Sequence, residues 1–450
     1  MRNFIVFLLA LFVAGCSFRP EIPSVDTSFE YKYETTQISD KWWQSFGDER
    51  LNSLVEEALK NNIDLKVAYI NLQQAELSLK NSKADLLPNL GLNGQATRSA
   101  NGVDTNSKAG FSLNTALNYE IDLWGRVRNT IASNNALLKA SEYDYNASKL
   151  SIASNTANSY LSLVALKMQE AVYIDSLKSY EDTMNYRKKQ LEVGSITQDV
   201  YLQSVASVQS AKIGLNEVRT SITQTATALA ILAGKSNDEI LKAVIKTTEN
   251  LPNAPQIDAD ISSDVLLKRS DVASAYENLK SKNALVGVAK AAYFPTLSLT
   301  GMFGYSSNEL DRLFIPSASA WSLGGSLAQT IFDYGKTSNN VKLAKLSQDI
   351  SLLTYEKAVK TALSDVKVAL DTRKNADEIL THQNELLSSQ SQIYDLINAQ
   401  YNAGYIDHLN LLDAQRNLLN AKISQINAKL NANQAAVGVF RAFGGGFKVN

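Results

Sequence analysis

The sequence is poor in the residues that build most chemical sites. It has one Cys and two His in 450 residues. A disulfide framework needs paired thiols, and a Cys/His metal cluster needs several ligands at close spacing, so neither is expected and no metal or cofactor is implied. Net charge is also lacking. The 44 Lys+Arg against 45 Asp+Glu leave −1, and without a basic surplus there is no electrostatic case for a nucleic-acid partner. Neither a G-x-S-x-G elbow nor a phosphate loop occurs, so no catalytic residue is expected and the chain does not read as an enzyme. Hydrophobicity is spread too evenly for a polytopic helical membrane protein. Only seven Pro and 21 Gly punctuate the chain, and their positions organise what is there.

The first residues read as a targeting segment. Met1-Arg2-Asn3 is a short basic start, and Phe4 to Ala14 is an unbroken apolar run of 11 residues. A bilayer core takes about 20 residues to span, so residues 1–15 are expected to be a signal peptide. The run ends in Val13-Ala14-Gly15-Cys16, which resembles a bacterial lipobox. Cys16 is then the lipidation site and 16–48 a lipidated, extended tether. Ser17, where Asp would favour inner-membrane retention in many bacteria, directs the expectation to the outer membrane.

The rest of the chain repeats itself. Leu87-Pro88-Asn89-Leu90 matches Phe294-Pro295-Thr296-Leu297 at an offset of 207. Gly125 matches Gly335, Gly194-Ser195-Ile196 matches Gly404-Tyr405-Ile406, and Gly234 matches Gly444, all at 210. Such self-similarity defines repeat 1 over 49–250, a linker over 251–261 that holds Pro252 and Pro255, and repeat 2 over 262–450. Residues 126–193 contain no Gly or Pro, and neither do residues 336–403, which makes 68 positions in each. Equal tracts without helix breakers predict two long helices, about 126–193 and about 336–403, each roughly 100 Å long at 1.5 Å per residue. Ile379, Leu386 and Ile393 advance by sevens, as in a coiled coil. A return helix follows each tract, about 197–233 and about 407–443, so Gly194 and Gly404 mark hairpin tips. Shorter helices are expected before the Pro landmarks, about 50–85 and 262–292.

The segments between these helices change period. Phe111, Leu113, Leu117, Tyr119, Ile121 and Leu123 alternate with Ser112, Asn114, Asn118, Glu120 and Asp122, which is the pattern of a strand with one apolar face. Each repeat is expected to supply one β-hairpin, about 89–123 and about 296–333, the first with a polar loop over Asn101–Lys108. Strands of about ten residues with aromatics near their ends suit a transmembrane β-barrel, and the smallest such barrels use about eight strands. Four strands cannot close one, and lipid does not tolerate an open edge, so oligomerisation is required; three chains would supply twelve strands. Trp124 and Arg126, with Tyr334 and Lys336, stand where strand gives way to helix and suit a membrane interface. Trp42 and Trp43 are expected to pack the tether onto the outside of the helical part. His382 and His408 read as isolated surface residues.

Several of these words also carry a resemblance. Lys41-Trp42-Trp43-Gln44-Ser45-Phe46 with Leu51-Asn52-Ser53-Leu54-Val55, Leu86-Leu87-Pro88-Asn89-Leu90, Tyr119 to Arg126, Tyr293 to Gly301, and Phe443-Gly444-Gly445-Gly446-Phe447 together resemble the outer-membrane factor (TolC/OprM) family. They are most like its lipoprotein branch, similar to CmeC-type subunits, which serves RND tripartite efflux systems. The resemblance covers the whole mature chain. It implies a mainly α protein with a small transmembrane β part: a homotrimer whose long hairpins form an α-barrel and whose strands form a 12-stranded β-barrel. It also implies a periplasmic adaptor, which would contact the tips at Gly194 and Gly404, and an inner-membrane RND pump as partners. Tyr401, Asn410 and Asp413 fall on the family's gate positions in the second tip. Asp199 lies one place before the often acidic position of the first tip, and Ser270 stands where the family usually has Pro.

The function so implied is an exit duct in the outer membrane, carrying drugs or other small toxic compounds out of the periplasm. The alternatives are an outer-membrane conduit for heavy-metal efflux or type I protein secretion, and a periplasmic adaptor lipoprotein. An adaptor should carry one hairpin and lack the four amphipathic strands.

Overall fold

The computed structural model describes residues 18–23, 40–101, 104–245, 250–256 and 269–445. The signal segment, Cys16, most of the tether and most of the linker therefore lie outside the described residues. Among the described residues there are eight α-helices and four strands. They run α1 (Glu49–Asn61), α2 (Ile63–Ala84), β1 (Asn89–Asn101), β2 (Asp104–Ile121), α3 (Arg126–Glu192), α4 (Gln198–Ala233), α5 (Asn237–Ile245), α6 (Ser270–Ala291), β3 (Thr296–Ser307), β4 (Ser319–Ala328), α7 (Lys336–Asn402) and α8 (His408–Ala442). The fold is mainly helical with one small antiparallel sheet.

The long helices α3 and α7 are 67 residues each, filling the two tracts that lack Gly and Pro. Their starts are built alike. Gly125 (φ 77°) and Gly335 (φ 85°) turn the chain out of a strand through the left-handed region that glycine tolerates. The Asp122 carboxylate accepts from the N–H groups of Val127 (3.0 Å) and Arg128 (2.9 Å). The Asp333 carboxylate accepts from the N–H groups of Gly335 (3.0 Å) and Thr337 (2.8 Å). Each long helix thus has two otherwise unpaired donors satisfied by an acidic residue, which also suits the positive end of its dipole.

The structure differs from the sequence-based expectation at five places. The helix expected over 50–85 is two helices, because Asn62 breaks it. The Asn62 side chain accepts from Leu65 N–H (3.1 Å) and donates to the Leu232 carbonyl (3.1 Å), so it caps α2 and ties it to α4 at once. Helix α5 follows the return helix and was not anticipated. The polar stretch expected as a loop is largely strand, since β1 reaches Asn101 and β2 begins at Asp104. Ladder hydrogen bonds are made by the backbone, so polar side chains do not end the pairing. In the second hairpin, β4 stops at Ala328, five residues short of the expected end. Lastly, Trp42–Phe46 is a 3-10 turn and not extended tether. Trp42, Trp43 and Phe46 are all buried, which places both tryptophans inside the packed core.

The sheet order is β1-β2-β3-β4, antiparallel throughout. Directly paired residues share a face. Leu90↔Leu117, Leu113↔Tyr305, Leu117↔Gly301, Phe303↔Trp321 and Gly301↔Leu323 fall on one face. Asn93↔Asn114, Gln95↔Ser112, Asn118↔Thr300 and Ser298↔Ser326 fall on the other. The apolar face is uncovered: Leu90 is 71% exposed, Trp321 77% and Leu323 81%. On the opposite face no charged side chain stands between Glu120 and Lys108.

The chain falls into two compact units, and each draws on both repeats. Among the described residues, one holds those within 18–23, 70–143 and 273–358; the other holds those within 40–69, 144–272 and 359–445. In the first, beside the sheet, buried polar groups pair across α3, α6 and α7. Ser133 and Ser281 hydroxyls meet at 2.7 Å, and Gln348 donates to Asn283 at 2.8 Å. The second holds the main apolar core, with Trp42, Trp43, Leu51, Val55, Tyr160, Leu161 and Leu229 almost wholly enclosed. Trp42 stacks on Phe440 of α8 at 5.2 Å, and the Tyr160 hydroxyl donates to Asp48 at 2.7 Å. Small residues on α8, among them Ala421, Ala428, Ala432 and Ala436, are buried and let neighbouring helices approach closely.

Candidate functional site

Two places in the chain carry the residues singled out from the sequence. The first is the passage from strand to helix. Trp124 Nε1 donates to the Pro295 carbonyl at 2.7 Å, and its ring stacks on Phe294 at 4.8 Å. The ring of Phe18 lies parallel to Phe294 at 4.5 Å, so the segment just after Cys16 rests on this aromatic pair. Arg126 donates twice to the Glu120 carboxylate, at 2.8 and 2.7 Å. Tyr334 holds a left-handed φ of 54° and is 90% exposed beside Phe332, and Lys336 is exposed too. Trp124 and Arg126 are thus braced within the fold, whereas Tyr334 and Lys336 project from it.

The second place is the pair of hairpin tips. Their backbones are built to one plan. Gly194 N–H donates to the Leu191 carbonyl (2.9 Å) and Ser195 N–H to that of Gln190 (2.9 Å). Gly404 N–H donates to Tyr401 (3.0 Å) and Tyr405 N–H to Gln400 (3.0 Å). Both glycines have positive φ, 73° and 78°, and neither would be crowded by a side chain, so conformation and not space demands glycine there.

The side chains of the two tips differ. At the first, Thr197 precedes α4 without a side-chain cap, and Asp199 is an exposed residue of the first helical turn. The Asp199 carboxyl is held below the usual range by the Thr197 hydroxyl and by its own and neighbouring N–H groups. At the second, the Asp407 carboxylate caps α8 by accepting from Asn410 N–H (3.2 Å) and also receives the Asn410 side-chain amide (2.8 Å). Asn410 is thereby engaged within its own turn. Asp413 is exposed and ion-paired with Arg416, and both line a groove of about 550 Å³ with Tyr173 and Tyr180. Tyr401 is held by a partner that the sequence did not reveal. Arg187, buried on α3, donates to the Tyr401 hydroxyl at 2.8 Å and to Gln190 at 2.7 Å, with its guanidinium 5.4 Å from the Tyr401 ring centre.

His408 overturns a sequence-based expectation. Its isolation in the sequence suggests a surface residue, yet it is only 5% exposed. Helical spacing explains the burial, since His408 shares one face of α8 with the buried Leu411 and Leu412. Its ring lies 5.8 Å from that of Tyr401, and neither ring nitrogen has a hydrogen-bond partner among the described residues. Burial and the nearby Arg187 push its pKa down to about 4. His382 fits the expectation, exposed and 3.6 Å from Glu385.

Arg269 is a second residue whose role the sequence did not show. Buried at the start of α6, it donates to both Asp271 oxygens (3.0 and 2.8 Å), to Asp365 of α7 (3.0 Å) and to the Ala442 carbonyl (2.9 Å). Ser270 begins α6, the first helical position, where Pro is equally at home because its missing N–H is not needed. The departure from the family pattern therefore changes nothing structural at that point.

A sheet with one bare apolar face and one polar face, joined to paired long helices, defines a membrane-inserted duct subunit. No described helix is long and apolar enough to cross a membrane. The comparisons with known proteins then give the family. The family model "Outer membrane efflux protein" matches residues 54–235 and 261–445. The toluene efflux pump outer membrane protein TtgC of Pseudomonas putida is 29% identical, over 97% of this chain and 94% of its own. The cation efflux system protein CusC of Escherichia coli is 26% identical, over 98% of each. The Campylobacter jejuni CmeC outer membrane channel superposes with a TM-score of 0.90 at 32% identity, over 96% of each chain. The chain belongs to the outer membrane efflux protein family, and its place is the outer membrane.

Proposed function

We propose that this chain is the exit duct of a tripartite RND-type efflux system. It works as a homotrimer and passes drugs or other small toxic compounds outward from a periplasmic adaptor and an inner-membrane pump. The observation that carries this reading is the sheet: its apolar face is bare, and β1 and β4 have no further strand among the described residues. Unpaired edges in hydrocarbon cost several kcal/mol per group, so the sheet is completed by other copies of itself. Closing it puts the amide- and hydroxyl-bearing face around a water-filled lumen. Such a duct acts by shape and lining and performs no catalysis.

The remaining residues fit roles within this reading. Cys16 carries the lipid, and Phe18, seated on Phe294, leads the tether away from it. Trp124, Arg126, Tyr334 and Lys336 mark the membrane boundary. The tips at Gly194 and Gly404 meet the adaptor, while Tyr401, Asn410, Asp413 and Asp199 belong to the gate. The likeness to a cation efflux protein supports a second reading, in which the cargo is a metal ion.

Outer membranes from cells expressing the chain should yield a heat-sensitive trimer, and deletion should raise accumulation of a fluorescent drug substrate. A soluble monomer defeats the duct; heavy-metal sensitivity without drug sensitivity favours the second reading.

A further inference from the structure

We propose that His408 is a positioning residue for the closed second tip: its neutral ring supports Tyr401 against Arg187, and protonation of that ring releases the tip. The inference rests on the reading of the hairpin tips as the closing end of the duct.

The geometry is a three-residue clamp between hairpins. Arg187 comes from α3 of the first repeat, while Tyr401 and His408 flank the second tip on α7 and α8. The Arg187–Tyr401 hydrogen bond joins residues 214 apart in sequence, so it ties one hairpin to the other. His408 lies beside Tyr401, with ring centres 5.8 Å apart, enclosed and without a hydrogen-bond partner for either nitrogen. An imidazole placed this way has one advantage over an apolar residue: it can acquire a charge.

The groups that act on that charge are few. Arg187 faces the ring from α3 and opposes protonation, Tyr401 faces it from α7, and Asp407 at the start of α8 favours protonation. Burial and Arg187 together outweigh Asp407. A second cation cannot form beside Arg187 in an enclosed site without cost, so a protonated His408 must move towards water. Moving it withdraws the support of Tyr401.

The sign follows from linkage. The clamped state holds His408 near 4, while a released, solvated ring returns to about 6.5. The clamp is therefore at full strength above pH 6.5 and weakens as pH falls from there towards 4. At about pH 5 the released state gains roughly 20-fold per tip over its weight at pH 7.

The test uses the full trimer in planar bilayers, with conductance recorded from about pH 8 to about pH 4. Wild type should conduct more as the solution is acidified below pH 6.5, His408→Gln should lose that rise, and His382→Gln should keep it. An equal rise in His408→Gln, or none in wild type, overturns the inference. A purified chain that forms no conducting trimer at any pH overturns the duct reading itself, and this inference with it. If His408→Gln does not assemble, a chain that keeps His408 still decides the matter. The protein has only two histidines, so histidine-labelled NMR of His382→Gln isolates the His408 ring, which should titrate far below 6.5. An ordinary titration of the His408 ring would sink the proposal.

Discussion

The two hairpin tips share a backbone and differ in what their side chains do. Gly194 and Gly404 make the same turn with the same pair of hydrogen bonds and nearly equal φ. Yet the first tip ends in an uncapped Thr197 and an exposed Asp199, while the second is capped by Asp407 and tied to α3 through Arg187 and Tyr401. Turn geometry is thus a property of the repeat, the side-chain cap of the return helix is a property of one copy, and the Arg187–Tyr401 bond is shared between the two hairpins. A gate built from this chain should have one tip whose return helix starts firmly and one whose return helix starts without a side-chain cap.

The strongest way to break that contrast is Arg187→Met, which keeps the stem and removes the donors. A buried hydrogen bond from a charged group contributes about 1.5–3 kcal/mol, so the closed second tip should lose roughly 10- to 100-fold in population. Resting conductance should rise accordingly, while Asp199→Ala at the first tip leaves it nearly unchanged; equal effects would erase the distinction. Next comes Asp407→Ala, which removes the cap of α8 at a cost of about 1 kcal/mol. Hydrogen exchange in the first turn of α8 should quicken about fivefold, and Thr197→Ala should scarcely alter α4. Asp413→Ala should act more weakly, because an exposed ion pair such as Asp413–Arg416 contributes at most about 1 kcal/mol. The expected change is a modest rise in ion leak with reduced cation preference, read from single-channel reversal potentials. The smallest difference is expected between Gly194→Ala and Gly404→Ala. Each should destabilise its hairpin by about 1 kcal/mol, and thermal melts of the two variants should coincide.

What was legible in the sequence follows the range of the interactions. Long helices show through the absence of breakers over 126–193 and 336–403, and the strands show through alternation, because both depend on neighbours a few residues apart. The break at Asn62 was hidden because its side chain is satisfied by Leu232, 170 residues away. Arg187 was hidden for the same reason, its partner being Tyr401. Trp42 and Trp43 were recognisable as packing residues, but the surface they meet, Phe440 among it, lies nearly 400 residues on. His408 was the one miss with a local signal. Its spacing of three and four to Leu411 and Leu412 already placed it on the apolar side of α8, and that pattern outweighs the usual habit of an isolated histidine.

The uncharged face of the sheet has a consequence for anything that travels past it. Asparagines, glutamine, serines and threonines exchange hydrogen bonds with a solute much as its hydration shell does, and Glu120 at the helical end of the sheet is already paired with Arg126. A passing molecule finds no partner there better than the water it carries. Residence is brief and discrimination slight, so this stretch sets throughput and leaves the choice of cargo to be made upstream.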